Sequence, residues 1–378
     1  MLRLSSLLVC LILASGLSHA AAREPQQTRE DGTKFVGSLG CKSSSCHGGA
    51  GEKRSQYITW SRQDFHTRAF AILLNARSAR IAETVGIAEP QSSARCTVCH
   101  SPLQSVAQSR LASTVRPDEG VSCENCHGAA GPWLRGHTRT DWTYAMRVSA
   151  GMHDLRSLYA RANSCIACHQ NVDNDLLKAG HPTLVFELDS QSVNEPRHWR
   201  EDDSWSGARA WLVGQAVALR ETAWRSRADR DPAVDMQETA VALAWLLQKV
   251  TLTEPLLPKI SEPATSDLGP LQKGADDLAR RAAGWNPTAD SAMLMLRALA
   301  ETDSEFLVGK DRSLQQLYYR ARRLVLAIDR LNNALTQNQG TPSKIDHELN
   351  ALRDDVAPNR SFEPARFAEH VRALRGKL

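Results

Sequence analysis

Eight cysteines fall in four pairs between Cys41 and Cys168, and a histidine follows the second cysteine of every pair. Three pairs read C-x-x-C-H: Cys96, Cys99 and His100; Cys123, Cys126 and His127; Cys165, Cys168 and His169. The fourth is stretched to C-x4-C-H, with Lys42-Ser43-Ser44-Ser45 between Cys41 and Cys46 ahead of His47. Two thiols on one turn of chain can form thioethers with the two vinyl groups of a haem, and the next histidine is then placed under the ring to ligate iron. In the stretched motif the extra residues loop out while both sulfurs and the histidine keep their positions. The spacing predicts four covalent haems c, with His47, His100, His127 and His169 as proximal iron ligands.

The same residues admit other chemistry. Disulfides suit an even cysteine count in an oxidising compartment, but they do not call for a histidine after every second cysteine. Zinc takes C-x-x-C pairs with four converging donors, and four such clusters in one exported chain would be unusual. A thioredoxin-like redox pair would sit in a βαβ pattern, which the sequence lacks.

Four irons have eight axial positions, of which the motif histidines fill half. His66, His137 and His181 are the candidates for distal ligands. His66 lies at the start of an apolar-periodic stretch, with Phe65, Ala69, Ile72 and Leu73 at helical spacing. His137 follows the third motif, and His181 follows the fourth in a Gly-His-Pro turn. His153 and His198 are further candidates, whereas His347 and His370 read as solvent-facing. Met146 and Met152 read as packing. Bis-histidine ligation would set low potentials relative to His/Met ligation, which suits a conductive chain. Arg68, Arg95 and Arg135 are candidate partners for haem propionates.

The elements around these sites divide the chain. Residues 1–20 read as a signal peptide, with Arg3 ahead of an apolar run from Leu4 to Leu17 and processing after Ala20. Export to the periplasm follows, with no transmembrane segment after the leader is removed and Cys10 lost with it. The remainder, 42% hydrophobic and 23% charged with a formal charge of +4, has no basic excess of the kind nucleic-acid binding uses. Residues 21–203 form the expected tetrahaem part and 204–378 a helical part without covalent haem.

Leu212, Ala216, Leu219 and Ala223 recur at helical spacing, as do Ala240, Leu243, Leu247 and Val250. A longer stripe runs from Leu314 through Leu317, Ala321, Leu324, Ile328 and Leu331 to Leu335, with Arg320, Arg322 and Arg323 expected outward or at its margins. Trp199, Trp205, Trp211 and Trp224 are expected to pack the two parts together. The fold class is mainly α: a haem-packed part with little β structure, then a helical bundle covering one side of it or serving as a docking or homo-oligomer surface.

From about Gly40 to Trp199 the chain resembles the cytochrome c-554 family of multihaem c-type cytochromes. The resemblance rests on Cys46-His47-Gly48, on Trp60 and His66, and on Gly120-Val121-Ser122-Cys123 leading to Cys126-His127-Gly128. It continues through His137, Cys165 to His169, and Ala179-Gly180-His181-Pro182. It implies a helical fold with closely packed haems and an electron carrier serving periplasmic or membrane-bound redox proteins. It also implies distal roles for His66, His137 and His181, and leaves open the sixth position of the iron on His100. His153 or His198 could fill that position. Left open, it would make the alternative a haem enzyme acting on a small nitrogen or sulfur compound.

Overall fold

The structure is a computed structural model that describes residues 33–201, 206–228, 234–263, 267–307, 312–336 and 343–378. The expected leader and Trp205 lie outside the described residues. Among these residues the chain is helical, and its one extended pairing is an isolated parallel bridge between Phe35 and Leu111. No helix among them is long and apolar enough to cross a membrane.

The motif-bearing part is built from short helices. They are α1 (Gln56–Gln63), α2 (Ala69–Ile72), α3 (Ala76–Thr84), α4 (Ala94–His100), α5 (Cys123–His127), α6 (Tyr144–Ser149), α7 (Leu158–His169), α8 (Asn174–Lys178) and α9 (Leu188–Asn194). Pieces of this length are not stable alone and lean on caps and tertiary ties. The residues inside the third motif supply some of these ties. Asn125 and Ser122 form a reciprocal capping box around the first turn of α5. Glu124 accepts the backbone N–H groups of Val36, Gly37 and Ala130 at 2.6–3.0 Å, fastening α5 to the chain that leads into the first motif. Gly128 closes α5 at φ +81°, where a side chain would strain the backbone and meet the His153 ring.

The second part comprises α10 (Gly207–Ala228), α11 (Val234–Leu252), α12 (Gly269–Ala283), α13 (Ala289–Ala300), α14 (Leu314–Thr336), α15 (Asp346–Asp355) and α16 (Pro364–Arg375). The expected stripes fall on α10, α11 and α14. α10 is apolar nearly all round and sits centrally, packed by α12, α11, α14, α7 and α9. Leu158, Ala162 and Ile166 of α7, with Phe186 and Leu188, belong to the same apolar core as the bundle. The approach of α9 to α10 requires Gly214, whose place a Cβ would occupy only 2.8 Å from Leu188 Cβ.

Two expectations are corrected here. Arg320 and Arg323 do not face outward: they are 3% and 9% exposed, because α14 is flanked by α11, α13, α10, α15 and α16 and has no wholly free face. Arg320 pairs with Glu262 and lies over the Trp245 ring. Of the tryptophans expected to join the two parts, Trp211 lies in the shared core, whereas Trp224 does not, being 45% exposed.

Candidate haem centre

Among the described residues none of the eight motif cysteines forms a disulfide. Together with the four motif histidines and His66, His137, His153, His181 and His198, they line one cavity of about 2080 Å³. A pocket for a single drug-sized ligand runs to roughly 300–1,000 Å³, so this one has room for several large groups. The motif donors do not converge as zinc would need. Among the described residues the only acidic, cysteine or histidine set close enough for a metal ion is Asp64, His66 and Glu195.

Each motif histidine instead faces one histidine from elsewhere in the chain. Ring centroids are 6.2 Å apart for His47 and His137, 6.0 Å for His169 and His66, 6.5 Å for His100 and His181, and 6.4 Å for His127 and His198. An imidazole–iron–imidazole axis, with metal–nitrogen bonds of roughly 2 Å and the ring radii added, spans about 6.3 Å between centroids. The four spacings fit such an axis, and the thiols beside them fit thioether attachment.

Hydrogen bonds at the other ring nitrogen support this orientation. Nδ1 of His47 meets Gln56 Oε1 at 3.0 Å, and Nδ1 of His100 meets the Ala69 carbonyl at 2.9 Å. Those of His137, His181 and His198 meet the carbonyls of Leu134, Pro182 and Pro196 at 2.5, 2.9 and 3.3 Å. The Gln191 amide approaches Nδ1 of His169 at 3.5 Å. An Nδ1 that donates to a carbonyl leaves the Nε2 lone pair for iron, the arrangement expected around a ligating histidine.

His66 differs in having carboxylates at Nδ1, Asp64 at 3.0 Å and Glu195 at 3.4 Å. These contacts push its pKa up to about 10. Burial, with His198, His47 and His153 nearby, lowers His127 to about 4; burial also lowers His100 and His169. Neutral imidazole is the form that binds metal.

His153 faces no second histidine among the described residues. Its backbone N–H donates to the His127 carbonyl at 3.0 Å and its Nδ1 lies 2.9 Å from the Cys126 carbonyl, so it braces the end of α5. Met152 lines the cavity, whereas Met146 is 44% exposed. Of the arginines expected near propionates, Arg95 lines the cavity and pairs with Asp173 at 3.2 Å; Arg68 and Arg135 do not line it. Arg77, Arg147, Arg156, Arg161 and Arg209 do. Sequence reasoning missed Asp64 and Glu195. An acid two residues before His66 was the available signal for Asp64; Glu195 arrives from a distant segment and left none.

The motifs also abut one another. Glu124 inside the third motif fastens α5 to the chain leading into the first, and α7, which carries the fourth, packs against α5 and against α4, which carries the second. Burial and then the neighbouring Cys165 push the Cys126 thiol up to about 12.

No curated protein and no solved structure matches the chain. Residues 40–128, a stretch that holds the first three motifs and His66, match the family model described as cytochrome c554 and c-prime. Over that stretch, and in its haem-attachment motifs, the chain is similar to the cytochromes c554 and c-prime.

Proposed function

We propose that the chain carries four covalent haems c and passes electrons singly between redox proteins of the periplasm. The observation that carries this reading is the set of four facing histidine pairs, each spaced for one iron. The bound group supplies reversible one-electron Fe(III)/Fe(II) chemistry. The chain's own residues do the rest: the thiols tether, Nε2 of each paired histidine ligates, and the Nδ1 contacts fix each ring. The contacts between the motif-bearing elements run first, third, fourth, second, the order in which neighbouring groups would exchange electrons. Residues 1–20 direct export, and the part from residue 204 onward buries one side of the array.

The rival reading, an enzyme with an open iron on His100, is disfavoured because His181 faces that ring. Haem quantification with low-temperature paramagnetic resonance tests both. Four haems, all low-spin, are expected, with one turning high-spin in His181→Ala. A high-spin iron in the unaltered protein that His181→Ala leaves unchanged would favour the enzyme.

A further inference from the structure

We propose that Asp64 and Glu195, acting through His66, give the iron between His66 and His169 the lowest reduction potential of the four. This rests on the ligation proposed above.

His66 stands apart from the other paired histidines. Wherever another has an Nδ1 partner among the described residues, that partner is a neutral carbonyl or amide. His66 meets two carboxyl groups there. One oxygen of Asp64, one of Glu195 and a ring nitrogen of His66 all lie within 4.8 Å of one another, which places carboxylate charge against a single imidazole. Asp64 is only 3% exposed, so water and salt screen that charge little.

An N–H donated to a carboxylate moves electron density onto the opposite nitrogen and makes it a more basic ligand. Greater basicity and a fixed negative charge both stabilise Fe(III) relative to Fe(II), which lowers the potential.

Other buried acids lie near the motifs, yet they are placed differently. Glu124 is held by three backbone N–H groups, and Glu119 by the N–H and hydroxyl of Ser38. Those donors offset the carboxylate field, and neither acid hydrogen-bonds a paired histidine. Asp64 also caps the turn that begins at Phe65 by accepting the His66 N–H at 2.8 Å. Asn at that position keeps an acceptor for the cap, so the amide variant separates charge from structure.

The test is a spectroelectrochemical titration of the intact four-haem protein with dithionite as reductant. Each Fe(III) takes one electron to give Fe(II), and no bond at Asp64 or Glu195 forms or breaks. In the double variant Asp64→Asn/Glu195→Gln, the lowest midpoint should rise, its reduction equilibrium constant growing about tenfold, while the other three stay in place. That size is the difference between a charge-assisted and a neutral hydrogen bond. A lowest midpoint that does not move, or a shift at a different iron, overturns the proposal.

A second measurement needs no variant. The last low-spin signal to disappear on reduction should be that of a perpendicular ligand pair, since His66 and His169 cross at 85°. If the last signal belongs instead to the parallel pair of His47 and His137, the proposal falls. His66→Ala distinguishes the two levels of failure: a high-spin iron supports the ligation, and four unchanged low-spin irons refute the ligation itself.

Discussion

An imidazole that binds iron through Nε2 must dispose of its Nδ1 proton, and five of the eight paired histidines have a neutral oxygen acceptor there. That local requirement explains why each distal histidine sits beside a backbone carbonyl or a carboxylate. It also makes the ring orientations spectroscopically readable. The planes of His47 and His137 are 14° apart, whereas the other three pairs cross at 71–85°. Parallel rings donate into one iron d orbital and split it from its partner; crossed rings donate into both and leave them nearly degenerate. Low-temperature paramagnetic resonance should therefore show one rhombic low-spin signal and three strongly anisotropic ones. Four signals of one type would contradict these pairings. The motif residues were legible because covalent attachment is a local affair of adjacent thiols and histidine. The partners were only half legible. His66, His137 and His181 stood out near the motifs, but nothing local could tell that His198 rather than His153 faces His127.

At the scale of elements, α9 decides how the haem-bearing part meets the bundle. Its Asp189 is fully buried, with no hydrogen-bond partner at either oxygen among the described residues and Arg330 4.0 Å away. Burial, and then Glu187, raise its pKa from 3.8 to about 7. The folded chain thus retains a proton that the unfolded chain gives up near pH 4. The sign follows: stability is greatest below about pH 4 and falls as pH rises towards about 7. Asp189→Asn should be the more stable protein at pH 8, by on the order of 3 kcal/mol, and should converge with the parent near pH 4. Guanidinium unfolding at the two pH values measures this, and equal gains at both would refute it.

Opposite α9, Gly214→Ala should cost about 1–3 kcal/mol in the same assay, because its Cβ would collide with Leu188. Haem content should be unchanged. The helices themselves were plain from their apolar spacing; the closeness of α9 and α10 was not, since a single glycine inside a helical pattern does not name its neighbour.

For the molecule as a whole, the apolar core crosses from the bundle into α7 and α9, and polar ties follow it. Tyr159 donates to Asp276 at 2.7 Å, Arg220 reaches both Asp276 and Asn163, and Gln170 donates to Thr222 at 2.7 Å. A chain ended at residue 201 would expose Leu158, Ile166, Phe186 and Leu188 together, a patch that soluble proteins seldom tolerate. Such a truncation should lose its haem-stained soluble yield; a stable four-haem fragment would show that the bundle is dispensable to the array. The sequence by itself determined the four cysteine–histidine motifs and the helical class, because these rest on short-range spacing and on the 3.6-residue period. Tertiary structure alone decided which histidine faces which, the carboxylates on His66 and the burial of Arg320 and Arg323. Each of those depends on which distant segment packs nearby, and packing sums weak contacts over the entire chain rather than over any one motif.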